Sequence, residues 1–409
     1  MIEKYYDGAI EQVAAGLGTV EKNYLLVRYS GQFSVENLND TKQLEKNEDI
    51  FVQVHEFETG EITCAYEPYL TMICDGFRRY MTGTFEEFME TCDVYYLHRP
   101  VLLGYFNQDN TGREEIILLD EVAYEQERML AALERMLCAI ADRHPVLFVL
   151  NRFQLASKST MQLTARFLKC ENCNIGLVLG VSDIQAMPEF LVPDWEMLYE
   201  TLDDGSKIYH IGNSGRKKEE TIDDEKYVDY GSEKVYRKLQ NMVEFLDFDQ
   251  AAYYLETIER KIKFDNLLVD DAARFRMWLL FVKVSILRQD IPKALEICED
   301  LEKIHLAGKE EECAYEQDYL IATAYMYQGK LKEALEMAGE TYRIAGKMSD
   351  DYRMFLSELL EAKIQMSGWY NIFFCAQDVK IKESLIQNLI RYNYRNHLAH
   401  VYIYAYDNK

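Results

Sequence analysis

The stretch from Ser30 to Asp40, SGQFSVENLND, has the layout of a phosphate-binding loop but not its residue types. It follows the apolar run YLLVRYS, and a loop of the form G-x-x-x-x-G-K-[ST] occupies this place between a strand and a helix. Counting from Gly31 puts Glu36 at the second glycine, Asn37 at the lysine and Leu38 at the hydroxyl residue. In a working loop the lysine binds phosphate and the hydroxyl holds Mg²⁺. The spacing therefore predicts a nucleotide site that has lost its chemistry.

A second stretch, VLFVL, reads as a strand that ends in Asn151 and Arg152. The run after it, NRFQLASKSTMQL, resembles the segment D-D-x-Q-W-A-D-x-S-[ST]-x-x-L of STAND-type signalling ATPases. In that family the two acidic residues hold Mg²⁺ and activate water, and Asn151 and Arg152 stand in their places. Leu155 replaces the tryptophan and Ser157 the third aspartate. The matching positions are Gln154, Ala156, Ser159, Thr160 and Leu163. The segment YEPYLTMI also has a family equivalent, and the resemblance covers about residues 10–212.

The charges at these positions oppose nucleotide chemistry. A carboxylate at Glu36 repels the β- and γ-phosphates, and Arg152 repels Mg²⁺; we hypothesise that these two side chains pair with each other. Asp183 stands where family members often carry a sensor arginine. The resemblance thus implies a pseudo-ATPase with no catalytic residues, no metal and no required cofactor. Its vestigial site comprises Gly31, Glu36, Asn37, Leu38, Asn151 and Arg152.

Two alternatives to this interpretation stay open. Gly31 could begin an unrelated turn in a domain that never bound nucleotide. The domain could instead bind ATP or ADP without hydrolysing it.

The first half of the chain alternates short apolar runs with helical patterns, which is typical of an α/β domain. Two of the runs are apolar almost throughout, as expected for central parallel strands that are covered on both faces. The clearest helices are YLTMICDGFRRYM and EVAYEQERMLAALERMLCAIADRH. The predicted strands span residues 24–30, 49–57, 145–153, 174–182 and 206–212.

From residue 232 onward the pattern is helical, and a unit of roughly 40 residues recurs. Polar turns at Asp247, Gln289, Gly329 and Gly368 are followed by apolar helix faces, and Ala252, Ala294 and Ala334 keep one offset from the first three turns. A small residue at that offset allows two antiparallel helices to approach closely. The pattern resembles tetratricopeptide repeats of the longer kind found in bacterial signalling proteins, over about residues 235–405. An irregular helical bundle is the alternative.

We therefore predict a degenerate P-loop-like α/β domain with a parallel sheet at 1–212, a linker at 213–231 and an all-α tetratricopeptide-like solenoid at 232–409. The expected function is non-catalytic: regulation or scaffolding through a protein or peptide partner bound by the repeats. The rival functions are an ATP-dependent signalling switch and the regulatory part of a longer transcriptional regulator or cyclase. Homo-oligomerisation is left open.

Composition limits the partners. A formal net charge of −25 repels phosphate backbones and anionic lipids, so we expect no direct nucleic-acid or membrane binding. The first residues lack a secretory signal pattern, no apolar run approaches the ~20 residues of a membrane helix, and the nine cysteines lack a framework spacing. A cytoplasmic protein is expected. Cys170 and Cys173, and likewise His397 and His400, lack the further ligands that a metal site needs.

Overall fold

The protein is described by a computed structural model that divides into two compact units. The first unit contains the described residues of 1–112, 121–229 and 241–250, and the second contains those of 230–240 and 251–409. The residues that the structure describes are 2–17, 24–29, 49–58, 61–109, 121–170, 174–182, 187–202, 208–211, 229–265, 267–367, 383–399 and 401. Most of the predicted linker, residues 213–228, lies outside this set. The predicted domain boundaries stay a prediction.

The first unit contains a five-stranded parallel sheet in the order β2-β3-β4-β1-β5. The strands β3 and β4 are buried at every position, as expected from their continuous apolar runs. Each observed strand lies within a predicted one, and the α/β first half with its parallel sheet is confirmed. The strands are β1 (Tyr24–Tyr29), β2 (Phe51–Glu56), β3 (Val146–Asn151), β4 (Ile175–Ser182) and β5 (Ile208–Ile211).

Helices pack against this sheet and bury its apolar residues. One apolar core lies between α1 and the sheet, and it includes Ile10, Val27 and Val149. The close approach of α1 depends on Gly176 in β4, because a Cβ there would come within 2.7 Å of Cγ1 of Val13. The helices of this unit are α1 (Ile2–Gly16), α2 (Tyr69–Tyr80), α3 (Phe85–Thr91), α4 (Arg99–Asn107), α5 (Val122–Ala141), α6 (Lys158–Lys169) and α7 (Val192–Leu202).

From residue 233 the described elements are all helices, as predicted. Two of them, α8 and α9, begin this series. The turn between them and the adjoining helix ends, together residues 241–250, belong to the first unit. Within the second unit, consecutive helices from α10 to α14 pack on one another, and α12 also contacts both α10 and α14. The helices are α8 (Glu233–Glu244), α9 (Phe248–Phe264), α10 (Asp271–Leu287), α11 (Ile291–Leu301), α12 (Glu310–Gln328), α13 (Leu331–Met348), α14 (Asp351–Met366) and α15 (Glu383–Arg391).

The turns inside the helix pairs share one backbone geometry. Gln289 and Gly329 have φ of +62° and +81°, and the amide of the next residue bonds back five residues, to Ser285 O and Tyr325 O. This is the Schellman arrangement that ends helices. In the α8–α9 turn the positive φ of +65° belongs to Leu246, so the predicted turn position Asp247 is wrong by one residue. Gly368 lies outside the described residues.

The alanines of the repeat pattern are buried where the helices meet. Ala252, Ala294 and Ala334 are all almost fully buried, which agrees with the close helix approach expected from their size. In register with the observed turn, Ala251 rather than Ala252 is the equivalent of the other two, and it is buried as well. The assignment to tetratricopeptide repeats stays a prediction. Among the described residues, no helix combines the length and the apolarity needed to cross a membrane.

Candidate functional site

The two predicted site residues that the structure describes, Asn151 and Arg152, lie at the carboxyl edge of the sheet. Because all five strands are parallel, β1, β2 and β3 end at this edge, in Tyr29, Glu56 and Asn151. The chain leaves β1 for the far edge strand β2 but leaves β4 for β5, on the other side of β1. Open α/β sheets bind ligands at the carboxyl ends of strands where the order reverses in this way. The end of β1 is therefore the place to look for a site.

Asn151 stands at the first acidic position of the resemblance, and its side chain is already engaged. Its Oδ1 accepts a hydrogen bond of 2.6 Å from the hydroxyl of Tyr29. Both residues are buried, at 0% and 1% exposure. Burial raises the pKa of Tyr29 to about 12, although the nearby charge of Arg152 acts in the opposite direction. The tyrosine is therefore a protonated donor at neutral pH, and it occupies the oxygen that a cation would approach.

Arg152 stands at the second acidic position and pairs with a carboxylate of the neighbouring strand. Its Nη2 lies 3.3 Å from Oε1 of Glu56, and both side chains are partly buried. Its backbone is left-handed, with φ of +52°, which re-aims the chain as β3 ends. The hypothesised partner Glu36 lies outside the described residues, so that pair stays untested. The partner that the structure shows is Glu56.

The structure thus brings Asn151 and Arg152 together with two residues that sequence reasoning did not select, Tyr29 and Glu56. Sequence could have indicated both residues, because each is next to last in a predicted strand, YLLVRYS or DIFVQVHEF, and parallel pairing brings the strand ends to one edge. Other predicted residues fall outside the described part of the chain: Gly31, Glu36, Asn37, Leu38 and Asp183.

Two residues of the segment after β3, Gln154 and Ser157, have structural roles here. Gln154 and Ser182 at the end of β4 exchange two hydrogen bonds, of 3.1 Å from the Gln154 amide and 3.3 Å from the Ser182 amide. This pair fixes the 3₁₀ turn at 153–155 to the sheet. Ser157 then caps α6 by accepting a 3.2 Å bond from the amide of Thr160. Serine performs here what an aspartate could also do at a helix start.

The start of α6 also holds the segment YEPYL, the second stretch with a family equivalent. Ser159 Oγ accepts a 3.0 Å bond from the amide of Tyr66, and Thr160 Oγ1 donates a 2.9 Å bond to the carbonyl of Glu67. One helical turn later, the hydroxyls of Tyr69 and Thr164 lie 2.6 Å apart. Two stretches about 90 residues apart in sequence therefore form one buried, hydrogen-bonded joint. Sequence reasoning placed both stretches but not their contact.

A third stretch, residues 247–250 of the α8–α9 turn, completes this joint. Asp247 accepts a 3.1 Å bond from the amide of Ser159, and Gln250 accepts a 3.3 Å bond from the amide of Lys158. The ammonium of Lys158 lies 2.5 Å from Asp249 and 3.9 Å from Asp194 of α7. Burial raises the pKa of Asp247 despite the Ser159 hydrogen bonds and the Lys158 charge.

Of the remaining candidate ligands, the structure describes Cys170 and His397. Cys170 ends α6, while Cys173 and His400 lie outside the described residues. His397 is buried beside Tyr394, with the two ring centroids 5.3 Å apart. In the part of the chain that the structure describes, no three His, Cys, Asp or Glu side chains are grouped to hold a metal ion.

Comparisons with known proteins give no further assignment. No protein-family model, curated protein or solved structure matches the chain.

Proposed function

We propose that this protein is a non-catalytic regulatory or scaffold protein of the cytoplasm, with a pseudo-ATPase domain and helical repeats that bind a protein or peptide partner. The observation that carries the first part is the engagement of both side chains at the end of β3. Asn151 accepts the hydroxyl of Tyr29, and Arg152 pairs with Glu56. A pair of carboxylates at this place would be available for Mg²⁺ and water. Here one residue is neutral and already hydrogen-bonded, and the other is a cation.

The charge balance supports the same conclusion. Phosphoryl transfer needs positive charge on the phosphates and carboxylates on the metal. The end of β3 supplies the reverse, because the guanidinium of Arg152 lies where a metal ligand is needed and is neutralised by Glu56. The sequence adds Glu36 and Asn37 at the positions of the loop glycine and lysine. These replacements act in one direction, toward a site without hydrolysis.

The partner-binding part of the proposal rests on the second unit. Its consecutive helices pack on one another and are joined by short turns, several of which contain a residue with positive φ. Helical repeats build an extended surface from local contacts of this kind. Tyrosines are numerous in these helices, and tyrosine offers a large contact area with a polar tip. The net charge of −25 opposes a nucleic-acid partner and favours a protein or peptide.

An ATP-dependent switch is the second candidate, and the sheet itself favours it. Five parallel strands with a reversal at β1 keep the layout in which α/β proteins bind ligands. The two candidates differ in what nucleotide does to the full chain. A switch binds Mg-ATP or Mg-ADP tightly, so nucleotide raises its free energy of unfolding. A pseudo-ATPase that binds no nucleotide keeps the same free energy of unfolding when nucleotide is added.

The deciding experiment is thermal unfolding of the full chain with Mg-ATP and Mg-ADP, together with an assay of phosphate release. A ligand that binds only the native state at a hundredfold excess over Kd stabilises it by about 2.7 kcal/mol. We expect no shift at millimolar nucleotide and no turnover. Turnover that is lost on changing Asn37 to Ala would overturn the proposal in favour of the switch. A shift without turnover would leave a nucleotide-binding scaffold.

The partner-binding part needs its own test. A photo-crosslinking residue placed at Tyr342 of α13 is compared with one at Tyr124 of α5, since both tyrosines are exposed. We expect crosslinks in cells to a defined protein or peptide from position 342. Crosslinks from position 124 alone would assign partner binding to the first unit instead.

A further inference from the structure

We propose that Arg28, together with the ring of Tyr199 beside it, is the binding site of a small oxyanion, a carboxylate or a phosphate group, at the end of β1. Successive side chains of a strand point to opposite faces, so Arg28 lies on the other face of β1 from Tyr29 and its hydrogen bond to Asn151. The proposal goes beyond the function above and does not depend on it, because it needs neither a nucleotide nor Mg²⁺.

The guanidinium of Arg28 has no hydrogen-bonding partner in the part of the chain that the structure describes. Arg28 is the next-to-last residue of β1 and is partly buried, and its Nε is shielded from solvent without an acceptor. Among the described residues, no carboxylate forms an ion pair with it. Buried donors in folded proteins are nearly always hydrogen-bonded, so a donor that the chain itself leaves unpaired indicates a bound water or a ligand.

The other partly buried arginines of the described residues differ from Arg28. Each of them forms an ion pair with a carboxylate, at 2.6 to 3.3 Å. The chain contains 70 acidic and 45 basic residues, so carboxylates are not scarce. Arg28 is therefore an exception, and another molecule can supply the acceptor that it lacks. The paired arginines are Arg99, Arg128, Arg152, Arg166, Arg274 and Arg353.

Tyr199 of α7 contacts one face of the guanidinium. The centroid of its ring lies 5.2 Å from Cζ of Arg28. Tyr199 in turn lies beside Trp195, at 6.2 Å between ring centroids, and Trp195 lies 6.4 Å from the ring of Phe153 in the 3₁₀ turn after β3. An aromatic face attracts the cation but accepts none of its in-plane N–H bonds. Those N–H groups form a planar fork that fits two oxygens of a carboxylate or a phosphate.

The position of Arg28 in the sheet agrees with ligand binding. The strand order reverses at β1, and open α/β sheets bind ligands at the carboxyl ends of strands at such a reversal. At this edge the guanidinium of Arg152 is already neutralised by Glu56, whereas that of Arg28 is not. The net charge of −25 disfavours a polyanion, so the ligand that fits is small and carries a single oxyanion group.

Thermal unfolding of the full chain in different sodium salts tests this site. The probes are inorganic phosphate and acetate, each raised to tens of millimolar while chloride keeps the ionic strength constant and Mg²⁺ is left out. A ligand that binds only the native state raises the unfolding midpoint as its concentration increases, and we expect a total rise of about 2–4 °C. The salt that gives the rise, phosphate, acetate or both, identifies the class of ligand.

Arg28→Met removes the guanidinium, and we expect the rise to disappear in this variant. Phosphate also stabilises proteins in general, because it is excluded from their surface. That general effect remains in Arg28→Met, so the difference from the native chain isolates the contribution of Arg28. In chloride alone, Arg28→Met should not lower the midpoint, because it removes a donor that has no acceptor.

Arg166→Met is the matched control, because Arg166 is also partly buried but pairs with Glu127 and Glu134 of α5. It should lower the midpoint in chloride and keep the native rise with the anion. A native rise no larger than that of Arg28→Met would overturn the site. A fall in chloride as large for Arg28→Met as for Arg166→Met would also overturn it, since Arg28 would then be paired in the free protein.

If Arg28→Met does not fold, nuclear magnetic resonance of the native chain decides. The Nε–H signal of Arg28, identified by its absence in Arg28→Lys, should shift as phosphate or acetate is added. The Nε–H signal of Arg166 should stay in place, because Glu134 already accepts its hydrogen bond. An Arg28 signal that does not move with either anion would overturn the site.

Discussion

The hydroxyl of Tyr29 and the Oδ1 of Asn151 lie 2.6 Å apart, and they join β1 to β3 over the strand between them, β4. Alternate strands of a sheet are separated by about 10 Å, so only a long side chain can make this connection. The tyrosine thereby covers the end of the strand where the resemblance expects a metal ligand. The end of β3 therefore carries a neutral, buried side chain that already accepts a hydrogen bond.

Changing Tyr29 to Phe tests how much the hydrogen bond to Asn151 contributes to the free energy of unfolding. The variant removes the hydroxyl while it keeps the ring, so Asn151 loses a buried donor. We expect the free energy of unfolding to fall by about 1–2 kcal/mol, measured by urea denaturation. Tyr69→Phe is the control, since it removes an equally short buried hydroxyl contact, to Thr164, away from the site. A loss for Tyr29→Phe well below that for Tyr69→Phe would show that the Tyr29–Asn151 hydrogen bond contributes little.

The Glu56–Arg152 ion pair is expected to contribute little to stability. Its side chains are 17% and 25% exposed, and partly exposed pairs contribute about 0–1 kcal/mol. A double-mutant cycle with Glu56→Gln and Arg152→Gln should give a coupling energy in that range, which declines as salt is raised. A larger coupling that is insensitive to salt would mean that the pair is more deeply buried than its exposure indicates. Glu36→Gln combined with Arg152→Gln tests the hypothesised second pair in the same way.

The sequence was most informative where one pattern determines one structure. The unbroken apolar run VLFVL predicted a strand covered on both faces, and β3 is buried throughout. The helix over Val122–Ala141 followed from its helical spacing of apolar residues. In both cases the positions of apolar residues along the sequence indicate which side chains are buried.

Contacts between distant residues could not be predicted in this way. The approach of Tyr29 to Asn151 depends on strand order, and the sequence does not determine whether β4 or another strand lies between them. The Ser159–Asp247 bond likewise depends on how the α8–α9 turn packs, which periodicity does not encode. The one-residue error at this turn has a related cause. Leu246 has the positive φ at this turn, where glycine or asparagine is the usual residue. The residue type at this position therefore did not indicate where the helix ends.

The two equivalent turns at Gln289 and Gly329 give opposite predictions. Gln289 has φ of +62°, so Gln289→Gly should relieve backbone strain and raise the free energy of unfolding by up to about 1 kcal/mol. Gly329 has φ of +81°, and a Cβ there would meet no atom within 4 Å. Gly329→Ala should therefore cost about 1 kcal/mol through the backbone alone. Thermal unfolding of both variants checks the signs. Effects of equal sign would contradict the shared turn geometry.

Asp318 on α12 should make the stability of the protein depend on pH. Burial, together with the negative charges of Glu340 and Glu302, raises the pKa of this carboxyl to about 6. In the unfolded chain the pKa returns to its ordinary value of about 3.9. The unfolded state therefore binds fewer protons between these two values, and the free energy of unfolding falls as pH rises through that window. Below about pH 4 the group costs nothing, and above about pH 6 the cost is complete.

Replacing Asp318 with Asn removes this cost. We expect Asp318→Asn to match the native chain near pH 4 and to exceed it by about 1 kcal/mol at pH 7.5, a value reduced for solvent screening of a partly exposed group. Urea denaturation at several pH values gives both curves. Glu311→Gln is the matched substitution for comparison, because it removes an exposed acid from the same helix and leaves Asp318 in place. Parallel curves for Asp318→Asn and the native chain would contradict this prediction. They would show that Asp318 has the same pKa in the folded and unfolded states, and that Glu340 and Glu302 do not raise it.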